Sequence, residues 1–173
     1  MLTVHVSTLD GTRAVAAAVA VLARAGDVIV LSGEMGAGKT AFAQGFGAAL
    51  GVTDPITSPT YTLVHSYEVG RTTLHHADLY RLDTHHQVAD LALAELVEDH
   101  GILLVEWGDP VASSLGDHLH VALARLDDDT ASGADEDPDG MPPTTRTITL
   151  TGVGRSWAPR WERLTAAVEG LSC

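Results

Sequence analysis

The sequence predicts an α/β fold in which helices flank a mixed central β-sheet, and three observations carry that expectation. Two apolar runs of strand length, DVIVLS and ILLVEW, read as strands buried on both faces. Stretches with helical spacing lie around them, opening at cap-forming residues and closing at glycine. The segments TLVHSYEV and RTTLHHADLY, rich in β-branched and aromatic residues, flank Gly70 as the arms of a hairpin do. At 173 residues with 45% hydrophobic content, residues 1–173 are enough for one domain with a full core and too few for two.

Taken in order, Leu2–Val6 is a short strand. Ser7, Thr8 or Asp10 caps a helix over Gly11–Ala25, with Gly26 as its stop. Val28–Leu31 is a buried strand running into a glycine-rich loop, and Lys39–Leu50 is the helix after that loop, stopped by Gly51. TDPITSPTYT is a loop, and the hairpin around Gly70 follows. Asp83 or Thr84 caps a helix over Gln87–His100, ended by Gly101. Ile102–Trp107 is a central strand. LHVALARL and RTITLTG are two further strands, and Trp157–Leu171 is a C-terminal helix with Pro159 in its first turn. Between those strands, residues 127–143 are acidic, rich in Pro, Gly and Ser, and almost without apolar content, which predicts a disordered insertion.

Composition excludes several function classes. The net charge is −13, and seven acids without a base fall within Asp127–Gly140. The remainder is still acidic, so tight binding to a nucleic-acid backbone by this chain alone is not expected. No apolar run reaches the roughly 18 residues of a membrane span, and the first residues carry no signal-peptide pattern. The sole cysteine, Cys173, cannot form an internal disulfide, which allows a cytoplasmic address.

The chain has one lysine, Lys39, in Gly33-Glu34-Met35-Gly36-Ala37-Gly38-Lys39-Thr40. This matches G-x-x-x-x-G-K-[ST], a P-loop, in the required context of a strand before and a helix after. Its glycines let backbone N–H groups converge on phosphate oxygens, and the helix N-terminus points at the same anion. Lys39 supplies a mobile charge that a planar guanidinium does not replace, and the Thr40 hydroxyl takes one position on Mg²⁺. The bland alternative, a glycine turn that ends in Lys-Thr by chance, does not explain that context. A P-loop NTPase fold is therefore expected. Guanine is ordinarily read by an N-K-x-D loop; with no asparagine and no second lysine, the chain cannot build one, which leaves ATP by exclusion.

Mg²⁺ needs an acid near Thr40, and two are available. Glu106 ends the apolar run ILLVE, and Asp78 lies in HHADLYRL. One holds the metal; the other orients the attacking water or responds to the γ-phosphate. An ordinary strand-end carboxylate capping a helix is the plainer reading of either. The hydroxyl-rich loop Thr57-Ser58-Pro59-Thr60-Tyr61 is placed to sense the γ-phosphate, or is a solvated turn. The nine histidines include the pairs His75-His76 and His85-His86, whose neighbours face opposite ways on a strand, a poor spacing for metal ligands, so they read as packed or solvated. Trp107 adjoins Glu106 and is the tryptophan placed to do more than pack.

GEMGAGKT, SPTYTLVHSY, HADLYRLD, ADLALAEL and GILLVEWGD occur in that order, and together they resemble the TsaE (YjeE) family from about Gly26 to Asp109. The resemblance implies a bacterial cytoplasmic ATPase of tRNA threonylcarbamoyladenosine synthesis that binds ATP and Mg²⁺. Its implied partners are the threonylcarbamoyl-transferring subunit and that subunit's inactive homologue. Its ATP hydrolysis would support repeated modification of adenosine at position 37, with tRNA met only through the complex and no membrane involved. The isolated chain would hydrolyse slowly and its partners would activate it. Residue by residue, the resemblance implies a nucleotide cradle from Glu34 through Met35, Gly36, Ala37, Gly38, Lys39 and Thr40 to Ala41, with Thr8 and Arg146 nearby. Thr40 and Glu106 would hold Mg²⁺. Asp78 with Tyr80 and Arg81 would form a second acidic motif, and Ser58 to Tyr61, including Thr60, the switch loop. The chain departs from the family pattern at Gly108, at Ala92 and in the acidic insertion. A small-molecule kinase is the competing reading, against which the scattered arginines stand; a nucleotide-gated binding module that hardly turns over is a third.

Overall fold

A computed structural model describes residues 1–59, 62–82, 92–98, 100–126 and 145–171. The acidic insertion, Thr60, Tyr61 and the Asp83/Thr84 cap lie outside the described residues. Seven strands form one sheet: β1 (Leu2–Val6), β2 (Val28–Ser32), β3 (Val64–Val69), β4 (Thr72–Asp78), β5 (Gly101–Glu106), β6 (His118–Arg125) and β7 (Arg146–Val153), in the order β1-β7-β6-β2-β5-β4-β3. The four central strands β6, β2, β5 and β4 run parallel, and antiparallel strands close both sides, β3 on β4 and β6-β7-β1 on the other edge. The expected mixed sheet and hairpin are both present.

Two-residue periodicity divides the central strands between two cores. Ile29 and Leu31 of β2, Leu74 of β4, and Ile102 and Leu104 of β5 face one cluster, with α1 (Leu9–Leu22), α2 (Lys39–Leu50) and α4 (Trp161–Glu169). Val28, Val30, Ala77, Leu103 and Val105 face the other, with Leu93 of α3 (Leu93–Glu98). The same parity places Asp78 and Glu106, at the C-terminal ends of β4 and β5, on the α2 side. Helices α1 and α2 pack at very short range: a Cβ on Gly45 would lie 2.6 Å from the Arg13 backbone.

Four boundaries differ from the sequence expectation. The first helix ends at Leu22, not Ala25, because the Leu22 carbonyl accepts from Arg160 Nη1 at 2.8 Å and Ala23 is already extended. Gly26 is no helix stop; its N–H donates to the Gly101 carbonyl at the turn into β2. Gly101 likewise opens β5 instead of ending a helix, since a Cβ there would collide with the Leu96 carbonyl and the His75 ring; the left-handed residue is His100, φ 59°. Ala158–Arg160 form a 3-10 turn containing Pro159 before α4, so the C-terminal segment is not one continuous helix. The strand expected to include Trp107 stops at Glu106, where Trp107 turns left-handed at φ 60°.

Candidate functional site

The glycine loop leaves the C-terminal end of β2, in the middle of the parallel strands, where ligand crevices form in open α/β sheets. Gly33 has φ 133°, and a Cβ there would collide with the Leu123 carbonyl of β6, so only glycine passes. Gly38 is the N-cap of α2 at φ 108°, and no side chain among the described residues caps that helix. The first turn of α2 therefore presents its N-terminal end to a cleft of about 470 Å³. Lys39, Thr40, Ser58, Asp78, Glu106 and Trp107 all line that cleft.

Lys39 Nζ donates to the Gly33 and Glu34 carbonyls at 2.7 and 2.9 Å and sits 3.6 Å over the Trp107 ring. Burial pushes the ammonium below its ordinary range, and the carboxylates of Glu106, Asp78 and Asp109 pull it back. Trp107 in turn packs on Tyr80, with ring centroids 5.0 Å apart. The left-handed turn after Glu106 puts this indole at the cleft, as its position beside the acid suggested.

Glu106 is 3% exposed and Asp78 likewise, and the two are register partners on β5 and β4. Thr40 Oγ1 donates to Glu106 Oε1 at 3.2 Å. Asp78 has different partners: Ser58 Oγ donates to its Oδ2 at 2.6 Å and the Tyr80 N–H to its Oδ1 at 2.9 Å. The carboxylates thus have separate attachments, one to the P-loop helix and one to the loop after it. Two carboxylates buried side by side would repel each other when both are ionised, and a hard divalent cation at Glu106 and the Thr40 hydroxyl would relieve that repulsion. This oxygen-only donor set fits Mg²⁺.

Met35, Gly36, Gly38, Lys39, Thr40 and Ala41 of the expected cradle line the cleft, with Tyr80 and Arg81. Ala37 points into the core. Thr8 serves α1: its Oγ1 accepts from the Gly11 N–H at 3.0 Å, and it is the adjoining Leu9 that reaches the cleft wall. Arg146 is buried beneath the loop, its Cδ and Nε 3.6 Å from where a Gly38 Cβ would stand. Two residues escaped the sequence reading. Arg125, opposite Arg146 on β6, has Nη1 3.6 Å from the Gly36 Cβ position. His76 is fully buried with Nε2 2.9 Å from Glu106 Oε1. Parity marks His76, which is two residues from Asp78 and so on the same strand face; nothing local marks Arg125. His75 faces the other way and meets Ser66 Oγ at 2.8 Å.

The family model for threonylcarbamoyl adenosine biosynthesis protein TsaE matches residues 6–132. The chain belongs to the TsaE family. Among TsaE relatives, the tRNA threonylcarbamoyladenosine biosynthesis protein TsaE of Bacillus subtilis is 35% identical over 156 residues, covering 90% of this chain and 88% of that protein. The protein of the same name from Streptomyces coelicolor is 38% identical over 141 residues, 79% of this chain and 87% of its own. The crystal structure of Bacillus subtilis YdiB superposes with a TM-score of 0.71 at 30% identity, over 98% of this chain and 94% of that one. The TsaE family resemblance carried by the motif blocks and the P-loop NTPase fold therefore both stand. No helix among the described residues is long and apolar enough to cross a membrane.

Proposed function

We propose that this chain binds and hydrolyses ATP with Mg²⁺ as the cytoplasmic ATPase of tRNA N6-threonylcarbamoyladenosine synthesis. The names of its relatives support the pathway. One observation supports the chemistry above all: a P-loop threonine is hydrogen-bonded to a buried strand-end glutamate beside a second acid tied to the following loop. In this reading the glycine loop and α2 hold the phosphates and Lys39 swings onto the β- and γ-phosphates. Thr40 and Glu106 would hold Mg²⁺, which would supply positive charge against the phosphate oxygens. Asp78 orients water or reports the γ-phosphate through Ser58 and the Thr57–Tyr61 loop, where Thr60 acts. Arg146 supports the loop from below. The threonylcarbamoyl-transferring subunit and its inactive homologue are the partners, and tRNA is met through them.

The test is steady-state ATP hydrolysis by the purified chain, alone and with the purified transferase pair and tRNA. Slow intrinsic turnover that the pair accelerates, with multiple rounds of tRNA modification only when ATP is present, is the expected result. Rapid phosphate transfer to a small metabolite would replace this reading with the kinase.

A further inference from the structure

We propose that His76 is a positioning residue for the metal-binding carboxylate, a role that rests on the reading of Glu106 as a Mg²⁺ ligand. His76 lies on β4 two residues before Asp78, on the sheet face shared with Leu74, Leu104 and Glu106. Its side chain is 0% exposed, and its Nε2 is 2.9 Å from Glu106 Oε1, the oxygen that Thr40 Oγ1 also approaches at 3.2 Å. A carboxylate only accepts hydrogen bonds, so Nε2 carries the hydrogen and the imidazole is held as the Nε2–H tautomer.

The second observation is the other nitrogen. Nδ1 of His76 is buried without a hydrogen-bond partner among the described residues. A buried acceptor left unmatched is a cost that a leucine among these apolar neighbours would avoid. Packing alone therefore does not favour histidine here. What the ring provides is one N–H aimed at one carboxylate oxygen. The last torsion of a glutamate is broad, so an unheld carboxylate turns freely. With Oε1 held by His76 from the core side and by Thr40 at 3.2 Å, the group's rotation is fixed and Oε2, 3.4 Å from Thr40 Oγ1, is left to meet a cation. Such outer hydrogen bonds commonly set ligand orientation and metal affinity.

Two variants and one spectrum test this. H76L removes the donor at similar size, and H76Q returns an N–H near the Nε2 position. The readout is binding of a fluorescent ADP analogue, in EDTA and with Mg²⁺ titrated. H76L should need about 10- to 100-fold more Mg²⁺ for the metal-dependent change, with its affinity in EDTA unaltered, and H76Q should recover most of that loss. Wild-type Mg²⁺ dependence in H76L would overturn the proposal. A wild-type protein that ignores Mg²⁺ would instead overturn the metal reading itself, and this proposal with it. The tautomer is read independently, in the nucleotide-free wild-type protein, by long-range ¹H–¹⁵N correlation of the histidine rings. An Nε2–H signature for His76 is expected, and an Nδ1–H signature would overturn the assignment even if the variants failed to fold.

Discussion

Thr40 Oγ1 and Glu106 Oε1 lie 3.2 Å apart across 66 residues of sequence, joining the first turn of the P-loop helix to the end of a central strand. The contact arises from three separate features of the sequence: a threonine after the lysine, an acid at the end of a wholly buried strand, and the parallel pairing of β2 with β5. Disturbing either partner should therefore disturb the metal without dismantling the phosphate cradle.

Glu106→Gln should weaken Mg²⁺ about 10- to 100-fold and remove Mg²⁺-dependent hydrolysis, while nucleotide binding in EDTA persists. Asp78→Asn should slow turnover with less effect on affinity, because its carboxylate accepts from Ser58 in the loop after α2 and from the Tyr80 N–H. Calorimetric titration with and without Mg²⁺, beside steady-state kinetics, checks both. If Asp78→Asn proves to be the variant that abolishes metal dependence, the two roles exchange.

Lys39→Ala should abolish nucleotide binding or hydrolysis, a loss of about 2–4 kcal/mol, with an unchanged far-ultraviolet circular dichroism spectrum. Lys39→Arg should recover little of it. The ammonium fits between two loop carbonyls and over the Trp107 ring, a geometry for a compact charge and not for a planar fork. Hydrolysis at the wild-type rate in Lys39→Ala would remove the P-loop reading.

Much of this site was legible because its determinants are local. Helix α2 runs over Lys39–Leu50 as its flanking Gly38 and Gly51 indicate, both left-handed. The end of α1 was not legible, since Arg160, 138 residues from Leu22, decides it. Gly26 and Gly101 looked like helix stops because glycine marks both stops and close approaches, and only the fold shows which. From the sequence His76 reads as packed or solvated, because adjacent histidines face apart on a strand; that argument weighs against joint metal binding but leaves each ring free to act alone. Arg125 reaches the loop through an antiparallel pairing whose register the sequence does not declare.

Arg160→Ala should destabilise the fold by about 3–5 kcal/mol, lowering Tm by roughly 10 °C, with nucleotide affinity in the cold unchanged. Both guanidinium Nη atoms reach the buried Asp27 carboxylate, at 2.6 and 2.8 Å, and the side chain also ties Leu22 to Ser156. Its removal leaves Asp27 charged and buried without its main counterion. Thermal unfolding with and without Asp27→Ala in the same chain measures it; the double variant should lose less than the single losses together.

Stability should decline on the acid side of neutrality, in part through His75. Burial holds its imidazole below the ordinary value of 6.5, so the unfolded chain takes up the proton more readily than the folded one. The contribution is complete above that ordinary value and is lost as pH falls toward the lower folded value. His75→Gln should flatten the fall in stability as pH drops below the ordinary histidine value of 6.5, as read by urea unfolding at a series of pH values. An unaltered slope would mean that burial does not hold this ring's titration low.

The last prediction concerns the loop between α2 and β3. Ser58 Oγ donates to Asp78 at 2.6 Å, the Leu63 N–H to the Pro59 carbonyl, and the Asp78 N–H to the Leu63 carbonyl, so hydrogen bonds tie Ser58 and Leu63 of this loop to the second acid. Gln44 of α2 holds the same loop through the Ile56 carbonyl at 3.2 Å. A partner pressing on this loop would thereby reset Asp78 without touching the phosphates. Partner completion of a P-loop site can be worth on the order of 10³-fold in turnover. Ser58→Ala should therefore cut stimulation by the transferase pair by about 10-fold or more, the weight of one hydrogen bond to a charged group, while intrinsic nucleotide affinity stays near wild type. Titrating the pair against each chain at saturating ATP separates a loss of maximal rate from a loss of partner affinity. Undiminished maximal stimulation in Ser58→Ala would show that the partner signal reaches the site by some route other than the Ser58–Asp78 bond.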